Sequence, residues 1–166
     1  MKKGTPLFIS ASFVIIFSLI SIAKVYSQEF KAVEGLESIN AVVDFRKDNP
    51  KEVATYLNLI HQTYKGVNMN INENTDFIIV FTGAVVKLLS TNKDGFPSEE
   101  HEIIDNIAEI IAAMAKDGIK MEICLYAAKA NGIESDSILP EIEQVLNGWL
   151  SLIGYQAKQY SLLPIY

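Results

Sequence analysis

The chain has a single cysteine, Cys124, in 166 residues, so no intramolecular disulfide can form. A free cysteine is most often a small buried hydrophobe. In an exported protein a lone thiol is also a candidate reactive group. Histidine is nearly as scarce. His61 and His101 have no cysteine or histidine partner at ligand spacing, which argues against a metal site. Each reads as a solvated helix residue. The phosphate-cradling patterns GxxxxGK and GxGxxG are missing, as is the nucleophile elbow GxSxG. No cofactor is expected. Positive charge is also short: 14 Lys and Arg stand against 20 Asp and Glu. Three of those lysines lie in the first 27 residues, which hold no acid, so the remainder is more acidic still. A surface of that sign excludes binding to a phosphate backbone, and no nucleic-acid partner is expected.

What is present begins with a targeting segment. Lys2 and Lys3 precede an uncharged apolar stretch over residues 7–23, and Val25-Tyr26-Ser27 supplies small or β-branched residues at a cleavage position. This is the layout of a secretory signal peptide spanning residues 1–27, which implies an exported, periplasmic or extracytoplasmic protein. The apolar run of 17 residues also reaches the lower limit for crossing a bilayer. The alternative is a retained N-terminal anchor, the one case in which a membrane is a partner. Residues 28–38 read as a short leader, and 39–166 as one domain.

Within that domain, apolar runs at 39–45 and 76–81 suit buried strands. Asn49, Pro50 and Glu52 predict a capped helix start, and Val53, Leu57, Ile60 and Tyr64 recur at helical spacing up to a stop at Gly66. Residues 67–75 read as an Asn-rich loop. Thr82-Gly83-Ala84 turns into a short apolar helix, Val85 to Leu89. Ser98 is placed to cap a longer helix striped by Ile103, Ile104, Ile107, Ile110, Ile111 and Met114, ending at Gly118. Ile119 to Cys124 alternates as a strand does, Leu125 to Asn131 reads as helix, and Ser135 to Ser137 as one further turn. Strand is expected over 140–146, a helix from Gly148, and a last strand over 160–166. The alternation of strands and helices predicts an α/β domain with a sheet of about five mainly parallel strands and helices on both faces.

In such folds ligands and reactive groups collect beyond the carboxyl ends of the strands. Cys124 falls there, at a strand end immediately before a helix, where unpaired N–H groups favour an anionic sulfur. Asp44, Thr82, Gly83 and Tyr126 are candidates to line a pocket at that edge. For Asp44 the plainer reading, a turn residue, is favoured, and Gly83 is expected to permit a tight strand-to-helix turn. Trp149, Tyr155 and Tyr160 read as core or subunit-interface residues rather than a ligand stack.

The segment Gly118 to Ile133 (GIKMEICLYAAKANGI) resembles the cysteine segment of the DsrE-like family of sulfur-relay proteins. Ala41 to Phe45, Leu57 to Tyr64, Phe77 to Leu89 and Asn147 to Tyr166 are similar to further family segments in the expected order. The resemblance implies a small flavodoxin-like parallel sheet and assembly as a homo-oligomer, a trimer or hexamer. It also implies that the matching cysteine, here Cys124, carries a persulfide between a sulfur donor and an acceptor. Two positions depart from the pattern. Thr82-Gly83 stands where many relatives have His-Gly, and Gln159-Tyr160 where Gly-Tyr is common, which predicts a turn that is either strained or differently built. Two functions follow. A persulfide carrier needs an accessible Cys124. A non-enzymatic oligomeric module binding a small ligand or partner would leave Cys124 packed among apolar side chains with no open cleft.

Overall fold

The computed structural model describes residues 31–70 and 75–166. The targeting segment and the first three residues of the leader, 28–30, lie outside the described residues. Lys31–Val33 forms one 3-10 turn. Five strands follow: β1 (Asn40–Phe45), β2 (Asp76–Phe81), β3 (Lys120–Cys124), β4 (Glu143–Val145) and β5 (Ser161–Ile165). The helices are α1 (Pro50–Asn70), α2 (His101–Lys116), α3 (Leu125–Ala130) and α4 (Gly148–Ala157). Short 3-10 helices cover Gly83–Leu89, Ser98–Glu100 and Ser135–Ser137.

The sheet has the order β4-β3-β2-β1-β5, and every strand pair is parallel. The chain steps from β1 to β4 in one direction and then crosses back to place β5 beside β1. Crossovers between parallel strands are right-handed, so reversing the direction of travel puts the last helix on the opposite face. α1, α2 and α3 pack on one side, while α4 packs on β1, β2 and β3 from the other.

Strand alternation divides the side chains. Val43, Phe45, Ile79, Phe81, Met121 and Ile123 join Leu57, Ile60, Ile107, Ile111 and Met114 in the main core. Val42, Ile78 and Val80 point the other way and meet Leu152 of α4. At the start of α1, Asn49 Oδ1 accepts from the Lys51 and Glu52 amides at 3.1 and 3.2 Å. The Glu52 carboxylate pairs with Lys47 at 2.9 Å, so the reciprocal half of a capping box is replaced by an ion pair.

Three expectations are corrected. α1 runs past Gly66 to Asn70 because Val67 continues its buried stripe, which offsets the roughly 1 kcal/mol that glycine costs inside a helix. Ser98 lies within a 3-10 turn, and α2 begins at His101 without a side-chain cap. The strand expected over 140–146 is confined to Glu143–Val145. Among the described residues, no helix is long and apolar enough to cross a membrane.

Candidate functional site

The α4 face of the sheet carries an unusual share of acid. Asp44 on β1, Asp76 on β2 and Glu122 on β3 share it, and each accepts a hydrogen bond from a tyrosine of the C-terminal segment. Tyr155 donates to Glu122 Oε1 at 2.5 Å, Tyr160 to Asp76 Oδ2 at 2.7 Å, and Tyr166 to Asp44 Oδ2 at 3.1 Å. Burial, and after it the bond to Glu122, lifts the Tyr155 phenol far above its ordinary range. The bond to Asp76, and after it burial, raises Tyr160 to about 12. Glu122 is buried, and its Oε2 has no hydrogen-bond partner among the described residues.

Asp44 is the hub of the carboxyl edge. It is 2 % exposed and accepts from Arg46 Nε at 3.0 Å, Arg46 Nη2 at 2.7 Å and Thr82 Oγ1 at 3.3 Å, besides Tyr166. The Asp44 hydrogen bond holds the Arg46 guanidinium even more firmly protonated than usual. The guanidinium Cζ lies over the Tyr166 ring, 5.1 Å from its centroid, a cation–π contact. Asp44 is therefore an organising strand residue, not the turn residue favoured from sequence. Four donors explain how a carboxylate is tolerated at that depth.

Cys124 ends β3 on the same face. It is 6 % exposed and lies under the first residue of α4. A Cβ placed on Gly148 would stand 2.9 Å from Thr82 Cγ2, 3.0 Å from Cys124 Cβ and 3.1 Å from Val80 Cγ1. Only glycine lets the helix come this close. Asn147 caps that helix by accepting from the Trp149 amide at 3.0 Å.

A cleft of about 340 Å³ opens beside this edge, lined by Asp44, Arg46, Trp149, Ile153, Gln156 and Leu162, with Leu152 at its base. A second groove, about 420 Å³, runs along α3 past Tyr126, Lys129 and Leu146. Cys124 lines neither.

The candidate residues named from sequence do not converge on one pocket. Asp44 lines the first cleft. Thr82 lies beneath it, joined to Asp44 by its hydroxyl. Gly83, at φ +74°, makes the tight turn expected of it. Tyr126 is exposed in the separate groove. His61 is corrected from a solvated residue to a buried one, its Nε2 2.7 Å from Asp117 Oδ2. His101 is half-buried, with Nε2 3.2 Å from the Phe96 carbonyl oxygen. Trp149 is 64 % exposed and so is not core, whereas Tyr155 and Tyr160 pack against the smaller cluster. Among the described residues, no group of three or more His, Cys, Asp or Glu side chains could hold a metal ion. Arg46, Glu122 and Tyr166 escape a sequence reading. The one signal for Arg46 is that it is the chain's only arginine.

A fully parallel five-stranded sheet of order β4-β3-β2-β1-β5, with helices on both faces and a cysteine at the carboxyl end of an inner strand, defines a small open α/β domain. Solved structures share that fold. The protein of unknown function MTH1491 from Methanobacterium thermoautotrophicum is 13 % identical at a TM-score of 0.59, over 76 % of this chain and 98 % of its own. The ychN protein of E. coli is 12 % identical at 0.57, over 76 % and 99 %. BT1422 of Bacteroides thetaiotaomicron, a conserved protein of unknown function, is 19 % identical at 0.55, over 78 % and 95 %. No curated protein matches the sequence. The profile of the DsrE/DsrF-like family matches residues 41–165, and the chain belongs to that family.

Proposed function

We propose that this chain is a non-enzymatic DsrE-family binding module, exported and assembled with copies of itself, in which Cys124 serves packing. The burial of Cys124 under Gly148, with neither cleft reaching it, carries this reading. A sulfur carrier must present its thiolate to two partners in turn. A cysteine roofed by helix backbone is poorly placed to do so. The ligand site of such a module is the cleft at the carboxyl edge beside Asp44, where open parallel sheets place ligands. Tyr126 on α3, Leu146 before α4 and Leu150 on α4 leave large apolar side chains exposed, which suits self-association. The charged start and apolar run of residues 1–23 support export.

A second reading rests on one observation: Cys124 sits at the carboxyl end of β3, directly before α3. There it would act as a persulfide carrier. The Cys124 thiolate would attack a donor's sulfane sulfur, displace the donor thiolate and hold the sulfur as a persulfide. An acceptor thiolate would then attack the outer sulfur and restore the Cys124 thiolate.

Intact mass of the mature protein after exposure to a sulfane-sulfur donor, beside Cys124→Ser, separates the two. The binding module gains no sulfur, and its thiol takes up iodoacetamide only after unfolding. A gain of one sulfur, reversed by reductant and absent from Cys124→Ser, would establish the carrier instead.

A further inference from the structure

Arg46 is the only arginine among the 14 basic residues of the chain. It stands just beyond β1 at the rim of the cleft, its side chain 43 % exposed. Its guanidinium is held on two sides: Asp44 takes Nε and one Nη2 proton, and Cζ lies over the Tyr166 ring, 5.1 Å from its centroid. A guanidinium has five N–H donors. Among the described residues the other three have no hydrogen-bond partner. Neutralising Asp44 does not call for arginine in particular, since the ammonium of any lysine would do so as a point charge. What arginine adds is a planar fork, here locked in orientation, with its outer edge left open to the cleft.

The remaining walls are apolar. Trp149, Ile153 and Leu162 are all exposed and all line this cleft. Its volume of about 340 Å³ lies at the small end of ligand pockets. Asp44 offsets most of the positive charge of Arg46, and the chain as a whole is acidic. A dianion such as phosphate is therefore disfavoured, while a monoanion with two coplanar oxygens matches the fork.

We infer that the cleft between α4 and the β1–β5 edge binds a small amphipathic carboxylate, its anionic end on the outer edge of Arg46 and its apolar body against Trp149, Ile153 and Leu162. Asp44, with Thr82 and Tyr166 bonded to it, is the positioning residue that holds Arg46 in place. This inference rests on the binding-module reading and names the class of its ligand.

Trp149 is the only tryptophan and lines the cleft, so its fluorescence reports occupancy. The mature protein is titrated with 4-phenylbutanoate, with the isosteric 4-phenylbutanamide and with inorganic sulfate. The expected result is a saturable change with the acid, binding of the amide weaker by roughly tenfold or more, and no saturation with sulfate. Arg46→Met should weaken the acid to the level of the amide. The acid–amide comparison needs no variant, so it stands even if Arg46→Met fails to fold. Equal binding of acid and amide, saturation by sulfate, or no saturable change with the acid would each overturn the inference. So would Trp149 emission that shifts with protein concentration alone and ignores the acid, because a second copy would then cover the cleft. The fate of Cys124 towards a sulfane donor is read by mass, so the binding-module reading and this inference fail separately.

Discussion

The two faces of the sheet are held down by different chemistry. On the α1–α2 face, long apolar side chains from two full helices close over Phe45, Phe81, Ile79 and Ile123, and the contact is continuous. On the α4 face, only Val42, Ile78, Val80 and Leu152 form a buried apolar cluster. Beside that cluster the face carries three carboxylates, Asp44, Asp76 and Glu122, and the C-terminal segment is tied to them by tyrosine hydroxyls bridging sequence separations of 33, 84 and 122 residues. Apolar burial is non-directional and sums with area. A hydroxyl-to-carboxylate bond is directional and is lost whole when either partner goes. The first face therefore supplies bulk stability, while the second fixes where α4 and β5 sit, and with them the cover over Cys124 and the wall of the Arg46 cleft.

The largest effect expected of this contrast comes from truncating one buried side chain on each face. Ile111 is fully buried among α1, α2 and strand side chains, and Ile111→Ala should cost about 3–5 kcal/mol, near the top of the range for such cavities. Leu152→Ala empties a shallower site with fewer neighbours and should cost about 2 kcal/mol. Urea unfolding of both variants checks the difference. Equal losses would mean that the α4 face is as firmly packed as the other and would break the comparison.

The tyrosine bonds give an effect of middle size. Tyr155→Phe leaves the buried Glu122 carboxyl without its described donor and should cost about 1–3 kcal/mol, the penalty of an unsatisfied buried polar group. pH sharpens the test. The bond to Asp76 raises the Tyr160 phenol from about 10 to about 12 in the folded protein. The unfolded chain gives up that proton first, so folding binds it more tightly. The stability from this bond is complete below pH 10 and drains away as pH climbs from about 10 to about 12. Tyr160→Phe should flatten part of that alkaline decline while lowering stability at neutral pH. An unchanged alkaline slope in thermal melts would show that the hydroxyl does not hold the face.

How far the sequence reveals this follows from the same contrast. The α1–α2 face is legible because its signals are local: alternation in the strands, the isoleucine stripe of α2, the Asn49 cap and the Gly83 turn all lie within a few residues of what they determine. The position of Cys124 at a strand end is legible for that reason too. Its accessibility is not, because the roof is Gly148, a residue that looks like an ordinary helix start. Glu122 reads as the polar half of an alternating strand until Tyr155 is seen to reach it. Asp44 reads as a turn residue because its four donors come from β1's own exit, the β2 end and the C-terminus. His61 looks solvated because Asp117, which pairs with it, follows the end of a different helix. Apart from Arg46, two residues from Asp44, the deciding partners are remote in sequence and have no periodicity to announce them.

The smallest expected effect concerns a place where sequence and structure agree. α4 ends in a Schellman arrangement: the Tyr160 amide donates to the Tyr155 carbonyl and the Gln159 amide to the Gln156 carbonyl, both at 3.0 Å. The residue at its left-handed position is Gln159, at φ +69°, the only non-glycine residue with positive φ among those described. A side chain there is strained by about 1 kcal/mol or more, while glycine loses more chain entropy on folding, so Gln159→Gly should gain a net amount of about 0.5–1 kcal/mol. The gain should appear as a modest rise in melting temperature with the urea m-value unchanged. Because this turn sets α4 against β5, it should also slow alkylation of Cys124 in the native protein, through a cover that opens less often. A gain in melting temperature without slower alkylation would mean that Cys124 is reached through a local opening that this turn does not control. A loss of stability would mean that the Gln159 side chain makes a contribution larger than the strain it bears.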